Sequence, residues 1–293
     1  MNTPTLLLTR LLSSSALILV STAVAASAAI VSHWKFDETS GPTAFDSAGI
    51  SDGTLSGGAT FSGSGVSGGA ISLDSVIPGS FVNMGTSFPG FTVGSFTISM
   101  WINTTATGEV VALSKHEAGT FNGYLMVVNS GAGYGVQDKA WFYGSNPAGS
   151  EANSTTTVND GVWHHLVGVY QSGVSISIFV DGAPVESVQT AYTINSNSAP
   201  FLIGGFNIGG SPAAAYTGLV DDVQIYDNTL NDTEVNFLYL NPGQTVPEPS
   251  SSATLAGLGA LTLFARRRRH AKEAPSGGGG GHDHGMGGMG GMM

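Results

Sequence analysis

Residues 96–102 read Phe-Thr-Ile-Ser-Met-Trp-Ile, and every second residue of this stretch is apolar. Successive side chains of a β-strand point to opposite faces of the sheet, so the alternation predicts a strand with one buried face. The opposite face would carry Thr97, Ser99 and Trp101. This strand is the starting point for an all-β interpretation of the chain.

Residues 174–180, Val-Ser-Ile-Ser-Ile-Phe-Val, repeat the alternation and lead directly into Asp181-Gly182. Asp-Gly permits the positive φ angles of a two-residue hairpin turn. We therefore expect residues 183–189 to return antiparallel to this strand. Residues 163–170 are apolar on both faces, which is typical of a central strand.

The last strand of the pattern is residues 219–226, after which Asn231 is followed three positions later by Glu234. This spacing is that of a capping box and predicts a short helix that ends near Leu240. Between these elements the chain is dense in Gly, Ser and Thr. The pattern predicts an antiparallel two-sheet sandwich with one short C-terminal helix.

Both ends of the chain differ from this pattern. Arg10 precedes an apolar run over residues 11–26, and Ala26-Ser27-Ala28 has the small residues that a signal peptidase requires, so residues 1–28 are predicted to be a signal peptide. A retained N-terminal anchor is the alternative. The chain contains no cysteine, which excludes disulfides, thiolate metal sites and cysteine nucleophiles.

At the other end, three features follow one another: Pro247-Glu248-Pro249, an apolar run over residues 253–265, and the block Arg266-Arg267-Arg268-Arg269. Prolines end the folded domain, the apolar run can enter a bilayer as a helix, and the arginines hold the following end in the cytoplasm. This order resembles the PEP-CTERM sorting signal, here spanning residues 244–270. The resemblance implies transient membrane anchoring and cleavage near Pro247–Pro249 by an exosortase; a plain anchor is the alternative.

A tail over residues 271–293 follows the arginines and is rich in Gly and Met. This composition favours disorder. His282 and His284 beside the methionines leave a soft or borderline metal ion as an alternative.

The net charge of the chain is −11 at pH 7. An acidic surface repels phosphate backbones, so we do not expect nucleic acid as a partner. It tolerates divalent cations, for which carboxylates are good ligands.

Short motifs occur in a fixed order along the middle of the chain: His33-Trp34-Lys35-Phe36-Asp37-Glu38, Gly-Ala-Ile-Ser-Leu-Asp at 69–74, the strand at 96–102, Trp163-His164-His165-Leu166-Val167, Phe179-Val180-Asp181-Gly182, and residues 218–226. Together they resemble the LamG-like, or concanavalin A-like, jelly-roll family. The resemblance implies that residues 29–243 form one jelly-roll domain, an architecture that includes lectins.

Catalytic motifs are not apparent. Residues 63–68 match a dinucleotide-binding pattern by letter, but that loop requires a following helix, so we interpret it as a turn. Glycoside hydrolysis needs two carboxylates on one face, whereas the adjacent Asp221 and Asp222 should point to opposite faces of a strand. The same argument excludes His164 and His165 as a metal or acid–base pair, and their resemblance to the structural Trp-His-His of the LamG-like family implies a structural role. We therefore predict that the domain is not an enzyme.

Asp221 shares its predicted strand face with apolar residues, where an unpaired carboxylate would be costly. Calcium is one hypothesis for its partner: many LamG-like domains bind it, and Asp37 and Asp222 would be further ligands. The alternative is that Asp221 accepts backbone N–H bonds from a neighbouring loop. Trp101 is a candidate sugar-stacking residue, with core packing as its alternative, and the same two interpretations hold for residues 141–143, Trp-Phe-Tyr.

These inferences favour an exported, non-catalytic recognition or adhesion module at the cell surface or in the medium. Its partners would be an extracellular polysaccharide or a surface protein, and signal peptidase and exosortase during export. A polysaccharide-active enzyme with dispersed catalytic residues and a purely structural matrix protein are the alternative hypotheses.

Overall fold

A computed structural model describes residues 28–86, 94–117, 122–131, 133–145, 150–182, 184–190, 193–195 and 197–248. Short strands make up most of this part of the chain, and a helix follows the last of them. In chain order they are β1 (Ile30–Trp34), β2 (Thr43–Ala44), β3 (Gly53–Ser56), β4 (Thr60–Ser62), β5 (Ala70–Leu73), β6 (Phe81–Asn83), β7 (Phe96–Asn103), β8 (Val110–Glu117), β9 (Asn122–Val128), β10 (Lys139–Ser145), β11 (Ser150–Thr157), β12 (His164–Gln171), β13 (Ser175–Val180), β14 (Ser187–Thr190), β15 (Leu202–Ile203), β16 (Gly205–Ile208), β17 (Ser211–Ala214), β18 (Gly218–Tyr226) and α1 (Asp232–Leu240).

The strands form two large antiparallel sheets. The first has the order β14-β13-β12-β7-β18-β5-β4, with β1 also paired to β18, and the second has the order β11-β10-β9-β8-β15-β6-β3-β2. A separate hairpin consists of β16 and β17. The inner faces of the two sheets share one apolar core, which includes Ile98, Met100, Tyr124, Phe142 and Ile203. The predicted antiparallel sandwich with one short C-terminal helix is therefore confirmed.

Strand β7 is buried on both faces, and the prediction of one solvent-facing side was wrong. Thr97, Ser99 and Trp101 are at most 5% exposed. The segment after β18 covers this side, because the Thr97 hydroxyl donates to the Asn228 carbonyl at 2.9 Å and accepts the Leu230 N–H at 3.0 Å. Alternation identified the strand correctly, but it does not show whether a later element covers the polar face.

The turn after β13 contains the predicted positive φ angles, 54° at Asp181 and 64° at Gly182. The return strand β14 is antiparallel, as expected, but its pairing starts at Ser187 opposite Ile178, so the connection is longer than two residues. Strand β12 lies between β13 and β7, which confirms its central position.

Helix α1 begins with the predicted capping box. The Asn231 side chain accepts the N–H groups of Thr233 and Glu234, at 2.9 and 3.1 Å, and the Glu234 carboxylate accepts the Asn231 N–H at 2.8 Å. These bonds satisfy backbone donors that the first helical turn cannot pair internally.

The signal peptide, the apolar run at 253–265, Pro249, Arg266–Arg269 and the tail at 271–293 lie outside the described residues. Within the part that the structure describes, no helix combines the length and the apolar character needed to cross a bilayer.

Phe142 tests the shared core, because its side chain is fully buried and its ring lies 6.3 Å from that of Phe96. Its ring also packs on Gly168, where an added Cβ would meet it at 2.7 Å. We expect Phe142→Ala to lower the free energy of unfolding by about 3–5 kcal/mol, since the substitution leaves a cavity. Urea denaturation measures the change.

The matched control is Phe45→Ala, because Phe45 is 58% exposed. Its substitution should change the free energy of unfolding by no more than about 0.5 kcal/mol. Equal losses in the two variants would contradict the assignment of Phe142 to the core.

Candidate functional site

Strand β18 is irregular at its two adjacent acids. Its register against β7 shifts between Asp221 and Gln224, and Asp222 has a φ of 47°. This bulge interrupts the alternation of side chains. Both acids therefore line one cavity of about 90 Å³, and the prediction that they point to opposite faces was wrong.

We call this space the closing-strand cavity; its lining includes Lys35, Asp37, Ser67, Asp221, Asp222 and Gly243. Asp37, which follows strand β1, is thus near the closing strand, as the sequence suggested. The structure brings together all three acids that were predicted as calcium ligands.

The Asp221 carboxylate is fully buried and accepts main-chain hydrogen bonds. Its Oδ2 accepts the N–H groups of Val66 and Ser67, at 2.8 and 3.1 Å, and its Oδ1 accepts the Asp222 N–H at 2.6 Å. The loop that supplies two of these donors needs glycine at position 65, because a Cβ there would lie 1.8 Å from the Gly69 carbonyl oxygen. The structure therefore agrees with the second interpretation of Asp221, in which its carboxylate accepts backbone N–H bonds from a neighbouring loop.

Asp222 accepts hydrogen bonds from its own strand and from two distant parts of the chain. Its Oδ1 pairs with the His33 Nε2 and accepts the Gln224 amide at 3.0 Å, and its Oδ2 accepts the Gly243 N–H at 2.7 Å. Asp222 therefore connects β1 and the segment after α1 to the closing strand.

The two neighbouring carboxyls differ in acidity. Burial raises the pKa of Asp221 to about 7, and the negative charge of Asp222 adds to the rise. Burial would also raise the pKa of Asp222, but the bonds from His33, Gln224 and Gly243 outweigh it and hold that pKa below its ordinary value. Asp222 is therefore the stronger acid of the two.

These residues do not fit a calcium site well. Calcium takes about six to eight oxygen ligands, whereas the oxygens of Asp221 and Asp222 already accept N–H groups and Asp37 accepts the Gly69 N–H at 2.8 Å. Lys35 brings a competing positive charge to the cavity. Among the described residues no group of three or more His, Asp and Glu side chains is arranged to hold a metal ion.

Trp101, the predicted sugar-stacking residue, is 5% exposed. The Tyr239 ring of α1 stacks on it at 5.7 Å, and the His165 ring lies 5.0 Å away. Trp101 therefore offers no open ring face, and its packing role explains its position.

The two adjacent histidines have separate hydrogen-bond partners. His164 contacts Asp181 through Nδ1 at 2.9 Å and Asp160 through Nε2 at 3.1 Å. The pKa of His164 is raised, and the hydrogen bond to Asp181 is the largest cause. The His165 Nε2 lies 2.8 Å from the Ser99 hydroxyl. Both side chains are buried, in agreement with a structural role.

The aromatic residues of β10 divide between two clusters. Phe142 lies in the main core, whereas Trp141 and Tyr143 pack on the outer side of the second sheet, against Phe206 of β16. Both outer rings are at most 6% exposed. The packing interpretation of this cluster fits the structure.

Sequence reasoning missed a cleft of about 310 Å³ at the end of the β16–β17 hairpin. We call it the hairpin cleft; its lining includes Asn83, Glu117, Ser198, Pro200, Asn207 and Pro212. The signal that marks the hairpin is Gly209-Gly210, with φ angles of 57° and 85°, which suits a two-residue turn. No comparable signal marks the cleft, because its residues come from separate segments.

The raised pKa of Asp221 predicts a pH-dependent stability. A carboxyl whose pKa is higher in the folded state stabilises it fully below the unfolded pKa, near 3.8, and loses this contribution as pH rises through about 7. We expect the free energy of unfolding to fall by about 2 kcal/mol more between pH 5 and 8 in the wild type than in Asp221→Asn. Urea denaturation at several pH values measures both slopes.

The control is Asp232→Asn, because Asp232 is an exposed acid in the first turn of α1. This variant should keep the wild-type dependence of the free energy of unfolding on pH. Identical slopes in the wild type and Asp221→Asn would contradict the prediction. The same samples test calcium: a rise in melting temperature with millimolar calcium that Asp221→Asn removes would support a metal site.

Comparison with known protein families gives two matches. The profile described as the concanavalin A-like lectin/glucanases superfamily matches residues 79–236, and the PEP-CTERM protein-sorting motif matches residues 245–269. Of the sorting residues, Pro247 and Glu248 are described, and both are exposed. The match confirms the sorting signal that the Pro-Glu-Pro, apolar and arginine order predicted.

One curated relative is the adhesion G-protein coupled receptor V1 of Danio rerio, 24% identical over 158 residues. The match covers 52% of this chain but spans only 2% of the receptor's length.

Similar solved structures share the fold at low sequence identity. Domain 4 of AbnA, a GH43 extracellular arabinanase from Geobacillus stearothermophilus in complex with arabinotriose, has a TM-score of 0.56 and 18% identity over 72% of this chain and 98% of that domain. The binding domain of Paraclostridial Mosquitocidal Protein 1 has a TM-score of 0.53 and 14% identity, over 72% of this chain and 51% of that one. A Trypanosoma rangeli sialidase has a TM-score of 0.52 and 16% identity, over 73% of this chain and 33% of that one. Since the superfamily profile covers more than half of the sequence and the two-sheet sandwich agrees with it, this chain belongs to the concanavalin A-like lectin/glucanase superfamily.

Proposed function

We propose that this protein is an exported recognition module that binds extracellular glycan without cleaving it. The observation that carries the proposal is the lining of the hairpin cleft. Among the lining residues that the structure describes, Glu117 is the one with a carboxylate. Glycoside hydrolysis uses two carboxyl groups about 5–10 Å apart. A cleft with one acid beside amides and prolines can hold a sugar but has no acid–base pair.

The acids of the closing strand do not supply the missing pair. Asp221 and Asp222 are at most 3% exposed, and both accept hydrogen bonds from the folded chain. Their cavity, at about 90 Å³, is small beside the range of about 300–1,000 Å³ that is usual for ligand sites. This supports binding rather than hydrolysis.

Similar structures support a glycan as the ligand class. The AbnA domain has a sugar, arabinotriose, bound to it, and the mosquitocidal protein domain is described as a binding domain. The similar sialidase structure is that of an enzyme, so activity on a polysaccharide is the alternative function. The adhesion receptor, though distant, is compatible with a surface protein as a second kind of partner.

The sorting motif supports a place outside the inner membrane. In the proposed route, signal peptidase removes residues 1–28 and an exosortase cuts near Pro247–Pro249. Pro247 and Glu248 are exposed and lie in neither a strand nor a helix, which leaves this stretch accessible to an enzyme. The domain would then reach the cell surface or the medium.

We expect the purified protein to bind at least one polysaccharide from a panel and to release no product from it. Pull-down measures binding, and assays for new reducing ends and for unsaturated products measure cleavage. Product release that Glu117→Gln or another single acid substitution abolishes would establish the enzyme alternative instead. A panel without any binding would overturn the glycan proposal.

We also expect the mature protein from its native host to lack residues 1–28 and the arginine block. Intact-mass analysis gives both new ends. A mature species that retains Met1 would contradict the signal peptide, and one that retains Arg266–Arg269 would contradict exosortase processing.

A further inference from the structure

Tyr134 is an exposed aromatic residue in the connection between β9 and β10. Its side chain is 46% exposed. Two main-chain hydrogen bonds pair it with Gly131: the Gly131 N–H donates to the Tyr134 carbonyl at 3.1 Å, and the Tyr134 N–H donates to the Gly131 carbonyl at 2.7 Å. The backbone that carries the ring is therefore held in a tight turn.

One face of the Tyr134 ring is directed towards the second sheet. The ring is nearly parallel to that of Trp141, at an angle of 19° and with ring centroids 6.5 Å apart, and it meets the Tyr143 ring edge to face at 6.0 Å. Trp141 and Tyr143 are themselves at most 6% exposed. Because the inner face of Tyr134 is turned to these buried rings, its exposed surface lies on the outer face and the edge.

The two sequence neighbours of Tyr134 carry no side chain that could cover this outer face. Gly133 and Gly135 have φ angles of 91° and 70°, which favour glycine. An added Cβ at Gly135 would collide with the indole of Trp141, so a side chain there would disturb the stacked pair. The glycines therefore keep the Tyr134 ring both stacked and accessible.

The carboxylate of Glu109 lies beside this ring. An added Cβ on Gly131 would collide with the Glu109 Oε2, so this oxygen occupies the place where a side chain of Gly131 would begin. Directly opposed residues of an antiparallel pair project to the same side, with their Cβ positions about 5 Å apart. The Glu109 oxygen is therefore on the side to which Tyr134 projects. Glu109 is exposed, and its carboxylate has no hydrogen-bond partner among the described residues.

An open aromatic face beside an unpaired carboxylate suits a sugar. The face is electron-rich, so the C–H groups on one side of a sugar ring can pack on it, and a hydroxyl at the edge of that ring can donate to the carboxylate. Beside Tyr134, the large apolar residue exposed in this connection is Val136. So small an apolar area does not match the broad contact of a stable protein interface. Glu109 and the overall charge of −11 oppose an acidic sugar.

This place is separate from the hairpin cleft. Glu109 directly precedes β8, whereas Glu117, at the other end of β8, lines the cleft. A strand of eight residues is about 25 Å long. Substitutions at Tyr134 and Glu109 therefore leave the lining of the cleft unchanged.

We infer that the outer face of Tyr134 stacks on one ring of a neutral sugar polymer and that Glu109 accepts a hydroxyl of the same ring. This inference rests on the proposed glycan-binding function. It adds to that function a contact site outside the hairpin cleft and the charge of the preferred sugar.

The test measures binding of the full chain and its variants to arabinan, mannan and β-glucan, below the melting temperature of every variant. We expect Tyr134→Ala to lose about tenfold in affinity for the neutral polymer that the wild type binds. Tyr134→Trp keeps an aromatic face and should bind at least as tightly as the wild type. The matched control is Phe45→Ala, because Phe45 is an exposed aromatic residue next to β2, at the other edge of the second sheet. This control should bind normally.

A second variant and two acidic polymers test the role of Glu109. Glu109→Gln should bind the neutral polymer more weakly, because a hydrogen bond to a charged acceptor is stronger than one to an amide. Polygalacturonate and alginate should bind the wild type more weakly than the neutral polymer does. An unchanged affinity in Glu109→Gln would remove Glu109 from the site, and a preference for the acidic polymers would overturn the charge of the preferred sugar.

The stacking site and the glycan-binding function fail in different ways. Wild-type affinity in Tyr134→Ala would overturn the stacking site while the glycan-binding function stands. Equal losses in Tyr134→Ala and Tyr134→Trp would also overturn it, because the loss would then not follow the aromatic face. Failure of every polymer to bind the wild type would overturn the function itself.

Discussion

Two adjacent carboxylates, Asp221 and Asp222, are buried in the closing strand, and the surrounding structure must supply donors for both. A buried carboxylate without partners would be very costly. The donors come from the β4–β5 loop, from His33 of the first strand and from Gly243 after the helix. Strand β18 also pairs with β1, β5 and β7. The constraint therefore joins the beginning and the end of the folded domain to its centre.

Helix α1 covers part of the outer face of the first sheet. Its Tyr239 ring covers Trp101, and the chain before it bonds to Thr97, so this part of the outer face of the first sheet is closed. On the second sheet, the β16–β17 hairpin covers the outer aromatic cluster but leaves a cleft beside its turn.

The sorting motif and the proposed site fit one another. A single small cleft of about 310 Å³ holds few groups of a sugar, and its affinity for one site would be modest. Many copies displayed on a surface raise the overall avidity for a repetitive polymer without any new contact. The acidic charge keeps such a protein soluble and opposes anionic partners.

The sequence alone predicted strands β7, β12, β13, β14 and β18, the helix and the sorting signal, because these depend on neighbouring residues. The alternation at residues 96–102 predicts a strand, and the Asn231–Glu234 spacing predicts the start of a helix, from local geometry alone. The tertiary structure decided the rest. The bulge at Asp222 depends on donors from distant segments, and the burial of Trp101 depends on a helix far along the chain. The hairpin cleft brings together residues from 83 to 212, so no local pattern could reveal it.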